Sequence, residues 1–199
     1  MNPAALRQLI AQARQQEAGE QTLARFLQTQ LERLHPSIRL PEDNASGALS
    51  AFVIAYIEEV PDVLDAAADV AREAGIEAAV KPVLKIAEQF FLQPPTLVAG
   101  HEGLEGLLDE AYLAHRLVEE VNDRYIAHLG QPLIPLDTTR ANLIAHQLIG
   151  EPFANQLDEA EHHAVDGLLD EEVFSLPSAQ AYRQQLRDPK VEEACKRWP

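Results

Sequence analysis

The chain has 199 residues, of which 46% are hydrophobic and 24% charged, a balance ordinary for a folded globular protein and unlike that of a disordered one. Its net charge is −16, and a surface that acidic repels phosphate backbones and anionic lipid, so neither nucleic acid nor membrane is expected as a partner. The charge is unevenly spread. Residues 1–40 and 181–199 each carry five basic and three acidic side chains, while 41–180 carries 26 acidic against 6 basic. Two explanations fit: a charged surface that keeps the protein dissolved, or weakly basic ends that dock on an acidic body, that of a second copy included.

A single cysteine, Cys195, excludes an internal disulfide and fits a reducing cytosol. The opening MNPAALRQLIAQARQQ lacks the apolar stretch of a signal peptide. The longest apolar run, Ala48 to Ile57, is about half of what a bilayer crossing needs. The expected location is the cytoplasm.

Asn2 and Pro3 read as a helix start, a cap followed by proline at the first helical position. Leu6, Leu9, Ile10 and Ala13 form an apolar stripe. Leu23, Phe26, Leu27, Leu31 and Leu34 continue it past Gly19 as far as Pro36, giving a hairpin or one bent helix over 1–35. Prolines 36 and 41 and the turn residues from Glu42 to Gly47 mark a loop. A helix is expected from about Leu49 to Ala74, with Phe52, Tyr56, Val63 and Val70 on one face and Glu58, Asp62, Asp65 and Asp69 on the other. Pro61 removes a backbone donor inside it, which predicts a kink or a break. Gly75 closes that helix, and a shorter one spans Ile76 to Phe91.

The stretch from Glu102 to Leu129 is about eight helical turns without a proline. Leu104, Leu108, Ala111, Val118, Tyr125 and Leu129 share one side, and a helix of this length must pack against several others. It is the expected central column. Beyond it, QPLIPL predicts either a lid over the end of the core or an exposed apolar partner site, with Asp137 as a cap. Further helices are expected over Thr138 to Ile149, Pro152 to about Leu169, Ser178 to Leu186, and from Asp188 onward. No alternating β-branched run occurs. The fold class is therefore all-α, a single-domain multi-helix bundle around 102–129, with an N-terminal hairpin at 1–35, a core at 45–169 and a helical tail at 178–199.

No glycine-rich phosphate loop, nucleophile elbow or paired-cysteine spacing is present. The chemistry available lies in polar residues on apolar faces: Glu59, His115, Glu119, Asn122, Asn142, His146 and Glu161. Buried, such groups need partners. If 102–129 and 138–149 pair antiparallel about the loop 130–137, Asn122 and His146 come level, with Glu119 within a turn of His146.

Three roles are open to this set. The residues hydrogen-bond across the core and fix helix register, they line a small-ligand pocket between 102–129 and 138–169, or they form a carboxylate–histidine metal site. Two Glu-x-x-His matches, Glu32 to His35 and Glu159 to His162, fall at a helix end and on a solvent face, which is not where a di-iron bundle places them. No cofactor is expected, with a metal ion as the lesser alternative. The functional expectation is a non-catalytic interaction or scaffold protein, with a protein partner or a homo-oligomer; the alternative is a helical-bundle enzyme or binding protein with its site between those helices. His115 and His146 are expected to be buried and neutral.

Overall fold

A computed structural model of the chain describes residues 2–73, 75–94, 96, 103–130, 132–134, 137–166, 168–169 and 171–185. Among these residues it holds nine α-helices and no strand. The first, α1 (Pro3–Glu20), begins as its sequence dictates: the Asn2 side chain accepts from the Ala5 amide at 3.2 Å and proline opens the helix. It ends at Gln21, whose φ of 53° reverses the chain into α2 (Thr22–Gln30). The first 35 residues are thus two helices, with the Glu17 carboxylate taking the Leu23 and Ala24 amides at the second helix's start. Leu6, Ile10 and Ala13 of α1 and Leu23 and Leu27 of α2 are buried.

The second long helix, α3 (Ala45–Glu73), departs from the sequence pattern twice. It begins four residues before Leu49, because the Asn44 carbonyl accepts the Ala48 amide while the Asn44 side chain folds against Gly47. A Cβ at position 47 would collide with that amide, so this glycine belongs to a first turn rather than to a loop. And α3 does not break at Pro61. The proline forfeits the bond to the Ile57 carbonyl and costs about 3 kcal/mol in a helix interior. Ile57, Val60, Val63 and Leu64, all buried around it, each contribute about 1.5–3 kcal/mol. Burial wins.

Gly75, at φ 67°, closes α3 as expected, with its own amide on the Arg72 carbonyl and that of Ile76 on Ala71, the Schellman pattern. After it comes α4 (Glu77–Leu92), then α5 (Gly103–Leu129), α6 (Thr139–Ile149), α7 (Glu151–Val165), α8 (Glu171–Ser175) and α9 (Pro177–Gln185). Cys195, the segment after Asp188, and Leu136 lie outside the described residues.

The central column is α5, which packs against α1, α2, α3, α4, α6, α7 and α8. From Gly106 to His115 every residue is buried. The one-sided apolar arc expected here is therefore only part of the picture: neighbours surround this half of the helix, and Asp109 and Glu110 go inside with it. Buried side chains run as one cluster from Leu6 of α1 to Tyr182 of α9. No helix among the described residues is long and apolar enough to cross a membrane.

Outside the core, Arg7 of α1 meets Asp62 and Asp65 of α3 at 2.6 and 3.2 Å, and Arg14 pairs with Glu58. Two basic side chains of α1 thus lie against the acidic face of α3.

Candidate functional site

The stretch of α5 from Tyr112 to Glu119 faces α6 on one side and α7 on the other, and the three helices enclose a cleft of about 290 Å³. α7 runs parallel to α5. The Tyr112 hydroxyl donates to Asp158 Oδ1 at 2.8 Å, Arg116 Nε donates to the same oxygen at 3.0 Å, and two turns on Arg124 reaches Asp166 at 3.5 Å. α6 runs antiparallel: Glu119 lies opposite Thr139 and Asn142, and the Tyr112 ring stands edge-on to His146 with centroids 6.0 Å apart.

This register differs from the expected one. Asn122 is not level with His146. Its side chain instead holds the backbone of Ile134 on both sides, donating to the carbonyl and accepting from the amide, each at 3.0 Å. Residues 132–134 therefore run back along the last turns of α5 before α6 begins, so α6 starts opposite Glu119 rather than opposite the end of the column. Leu133 and Ile134 are 2% and 3% exposed; this part of the loop covers the core, as a lid would, and is no exposed patch.

Glu119 is the centre of the cleft's polar wall. Its Oε2 accepts from Arg116 at 2.5 Å and from Asn142 Nδ2 at 2.7 Å, and its Oε1 accepts from the Thr139 hydroxyl at 3.1 Å. Arg116 is clamped between two carboxylates of different helices, Glu119 and Asp158. Burial alone would pull its guanidinium down, and those two partners outweigh burial and hold it above its usual range. Burial also raises the Tyr112 hydroxyl, and the bond to Asp158 adds to it. Behind the wall, Asn142 Oδ1 accepts from the buried Tyr56 hydroxyl at 2.7 Å, and Asn142 Nδ2 also reaches Thr138 Oγ1 at 3.3 Å.

His115 lies on the far side of that connection. It is 1% exposed, its ring sits against Tyr56 with centroids 4.2 Å apart, and its Nε2 donates to the Tyr56 carbonyl at 2.8 Å. Its Nδ1 has no hydrogen-bond partner. Desolvation pulls its pKa down to about 4 against the weaker opposing effects of that carbonyl and of Glu119, so the imidazole is neutral. His115 and Glu119, one turn apart in sequence, therefore face different neighbours and are joined by hydrogen bonds through Tyr56 and Asn142.

His146 is not buried as expected. Its side chain is 22% exposed because it faces the cleft rather than the core, with Nε2 3.2 Å from Asn155 Oδ1 and 3.8 Å from Asp158 Oδ2. Glu59 is exposed on α3 and takes no part. Glu161 is buried on the inward face of α7, which runs Ala154, Leu157, Glu161, Val165, as its position between Leu157 and Val165 predicts. Its Oε1 has no partner. Glu32, His35, Glu159 and His162 are exposed, and no group of three or more His, Cys, Asp or Glu among the described residues is placed to hold a metal ion.

The structure brings Glu119, Asn142 and His146 to one cleft and leaves His115, Asn122, Glu161 and Glu59 out of its lining. Pattern reading passed over Tyr112, Arg116 and Asp158. The spacing of Tyr112, Arg116 and Glu119, four and then three residues apart, was a usable signal for one polar line along α5. Asp158 had no such signal, since only the packing of α7 brings it there. Compared with protein families, curated proteins and solved structures, the chain finds no match in any of the three.

Proposed function

We propose that the cleft between α5, α6 and α7 binds a small polar ligand, and that the protein is a helical ligand-binding protein. The observation that carries this is a cleft of about 290 Å³, near the lower size of small-molecule sites, with hydrogen-bonding groups converging from three helices. Its carboxylates, Glu119 and Asp158, outnumber its one arginine, and the chain carries −16 overall. That balance favours a ligand with a cationic or hydrogen-bond-donating end, such as an amine, over an anion. Tyr112 supplies an apolar ring edge beside these polar groups.

The test is two-dimensional NMR with a fragment set of aliphatic amines, carboxylates and neutral polyols. Amines are expected to move the resonances of Tyr112, Asn142 and His146 together. Shifts from carboxylates alone, or from none of the fragments, would remove the proposal.

One observation favours a second reading, an interaction or scaffold protein without catalysis. Leu143, which lines the same cleft, is 63% exposed, an apolar side chain that a protein partner or a second copy would cover. Sedimentation across a wide concentration range tests it. Self-association abolished by Leu143→Asp supports it, and a monomer at every concentration counts against the second copy.

A further inference from the structure

Along the seam where α5 and α7 run side by side, two arginines of α5 are already engaged. Arg116 is held by Asp158 at 3.0 Å and Glu119 at 2.5 Å. Arg124 is held by Glu120 at 2.7 Å, the Leu169 carbonyl at 3.1 Å and Asp166 at 3.5 Å. Between these clusters lies Glu161, in a row of core positions that are otherwise apolar, 2% exposed and with Oε1 unbonded. The charged groups that act on it are Glu120, Arg116 and Arg124 of α5 and Asp158 of its own helix, with Arg116 exerting a stronger pull than Arg124. α6, which packs on the other side of α7, contributes His146 beyond Asp158.

A carboxylate whose buried Oε1 has no hydrogen-bond partner keeps its charge only at a cost. Either it keeps its proton, or an arginine must leave another carboxylate to reach it. The first candidate to move is Arg116, which bounds the cleft. We infer that Glu161 is a proton-operated regulator of the cleft: protonated, it leaves Arg116 clamped between Asp158 and Glu119, and on losing its proton it draws Arg116 off Asp158 and frees that carboxylate for a cationic ligand. Burial and the neighbouring Glu120 raise the Glu161 carboxyl to about 8, so both forms are reached under mild conditions. The structural half of this inference stands on the seam alone; its functional half rests on the cleft being a ligand site.

The experiment follows the guanidinium carbon of Arg116 and the side-chain carboxyl carbon of Glu161 by ¹³C NMR in the whole, ligand-free protein, with Arg116 assigned by the loss of its signal in Arg116→Lys. Both are expected to titrate together with a midpoint near 8, and Glu161→Gln, which fixes the neutral form, is expected to make the Arg116 signal flat. An Arg116 signal that does not change with pH, that changes with a midpoint of its own, or that titrates unaltered in Glu161→Gln overturns the inference. Should Glu161→Gln fail to fold, the two midpoints in the unsubstituted protein still decide.

Butylammonium serves as the probe of the functional half, titrated one unit below and one unit above the measured midpoint. Affinity is expected to rise several-fold above it in the unsubstituted protein and to stay constant in Glu161→Gln. Equal affinity on both sides removes the regulation. Absence of butylammonium binding with co-titration intact removes the ligand reading and leaves the latch.

Discussion

Two sides of this molecule set arginines against carboxylates and obtain different things from them. On the α1–α3 side, Arg7 and its partners Asp62 and Asp65 are 51%, 74% and 41% exposed, so water competes for every charge and the core beneath is apolar. On the α5–α6–α7 side, Arg116, Glu119 and Asp158 are 28%, 16% and 31% exposed. There each group is partly stripped of water and relies on the others for its hydrogen bonds. The same chemistry is therefore a solvated surface on one side and an interdependent polar wall on the other. Burial sets the difference.

That contrast predicts the largest loss where a buried polar group has no substitute. Asn122 satisfies both backbone groups of Ile134, which is 3% exposed. Asn122→Ala strands a donor and an acceptor, and denaturant unfolding is expected to show a loss of about 3 kcal/mol. Hydrogen exchange at Ile134 should rise in the same variant. A loss under about 1 kcal/mol would mean that water reaches the loop backbone freely.

Next comes Arg116→Ala, which leaves Glu119 and Asp158 facing one cleft without their shared cation. Breaking a fully buried pair costs about 3–5 kcal/mol, and the partial exposure here reduces the expected loss to about 2 kcal/mol. Arg116→Lys should recover part of it, since an ammonium reaches one carboxylate well and two poorly. Indistinguishable stability of Arg116→Ala and the parent would erase the contrast between the two sides.

His115 sharpens the comparison through pH. Its folded pKa, about 4, lies below the ordinary value of 6.5, so in that interval the unfolded chain takes up a proton that the folded one refuses. The stability that His115 contributes therefore falls as pH drops from about 6.5 towards 4, by up to about 1.4 kcal/mol per unit, and levels off below. Glu161 and Glu110, whose carboxyls burial raises to about 8, act in the opposite direction above about 4.5. The stability difference between the parent and His115→Leu, measured by urea unfolding at stepped pH, should change by that slope between about 6.5 and 4; a difference independent of pH would show that the histidine is not the group responsible.

How far this was legible in the sequence follows the same division. Apolar periodicity marked α5 as the column, and single residues marked ends: Asn2 and Pro3, Gly75, and Asp137, whose carboxylate takes the Thr139 amide at 3.1 Å. Those signals are local. Pro61 does not break α3, because its cost is local while the burial that offsets it comes from other helices. The buried polar character of His115, Asn122, Asn142 and Glu161 was also readable, since each interrupts an apolar face. Their partners were not. The carbonyl and hydroxyl of Tyr56 and the Ile134 backbone come near through packing and through a loop that doubles back, and neither leaves a spacing in the chain. His146 and Glu59 were misplaced because helical phase says which residues share a side and not which side is covered.

The smallest effect is expected at Arg7. Leu6 and Ile10, on the buried face of α1, hold the helix against the core, being 1% and 4% exposed, and Arg7 only reaches across the seam that they have already closed. A pair this exposed contributes little, and salt screens it further. A double-mutant cycle of Arg7→Ala with Asp62→Ala should therefore return a small coupling at low salt and near zero at high salt. Asp65 complicates the cycle, because it offers Arg7 a second acceptor at 3.2 Å, so the cycle repeated in an Asp65→Ala background should give the larger of the two couplings. If coupling on this surface equals what Arg116 and Asp158 give in the same cycle, exposure does not govern the difference, and the acidic face of α3 is an organised docking site for α1 rather than a solvated one.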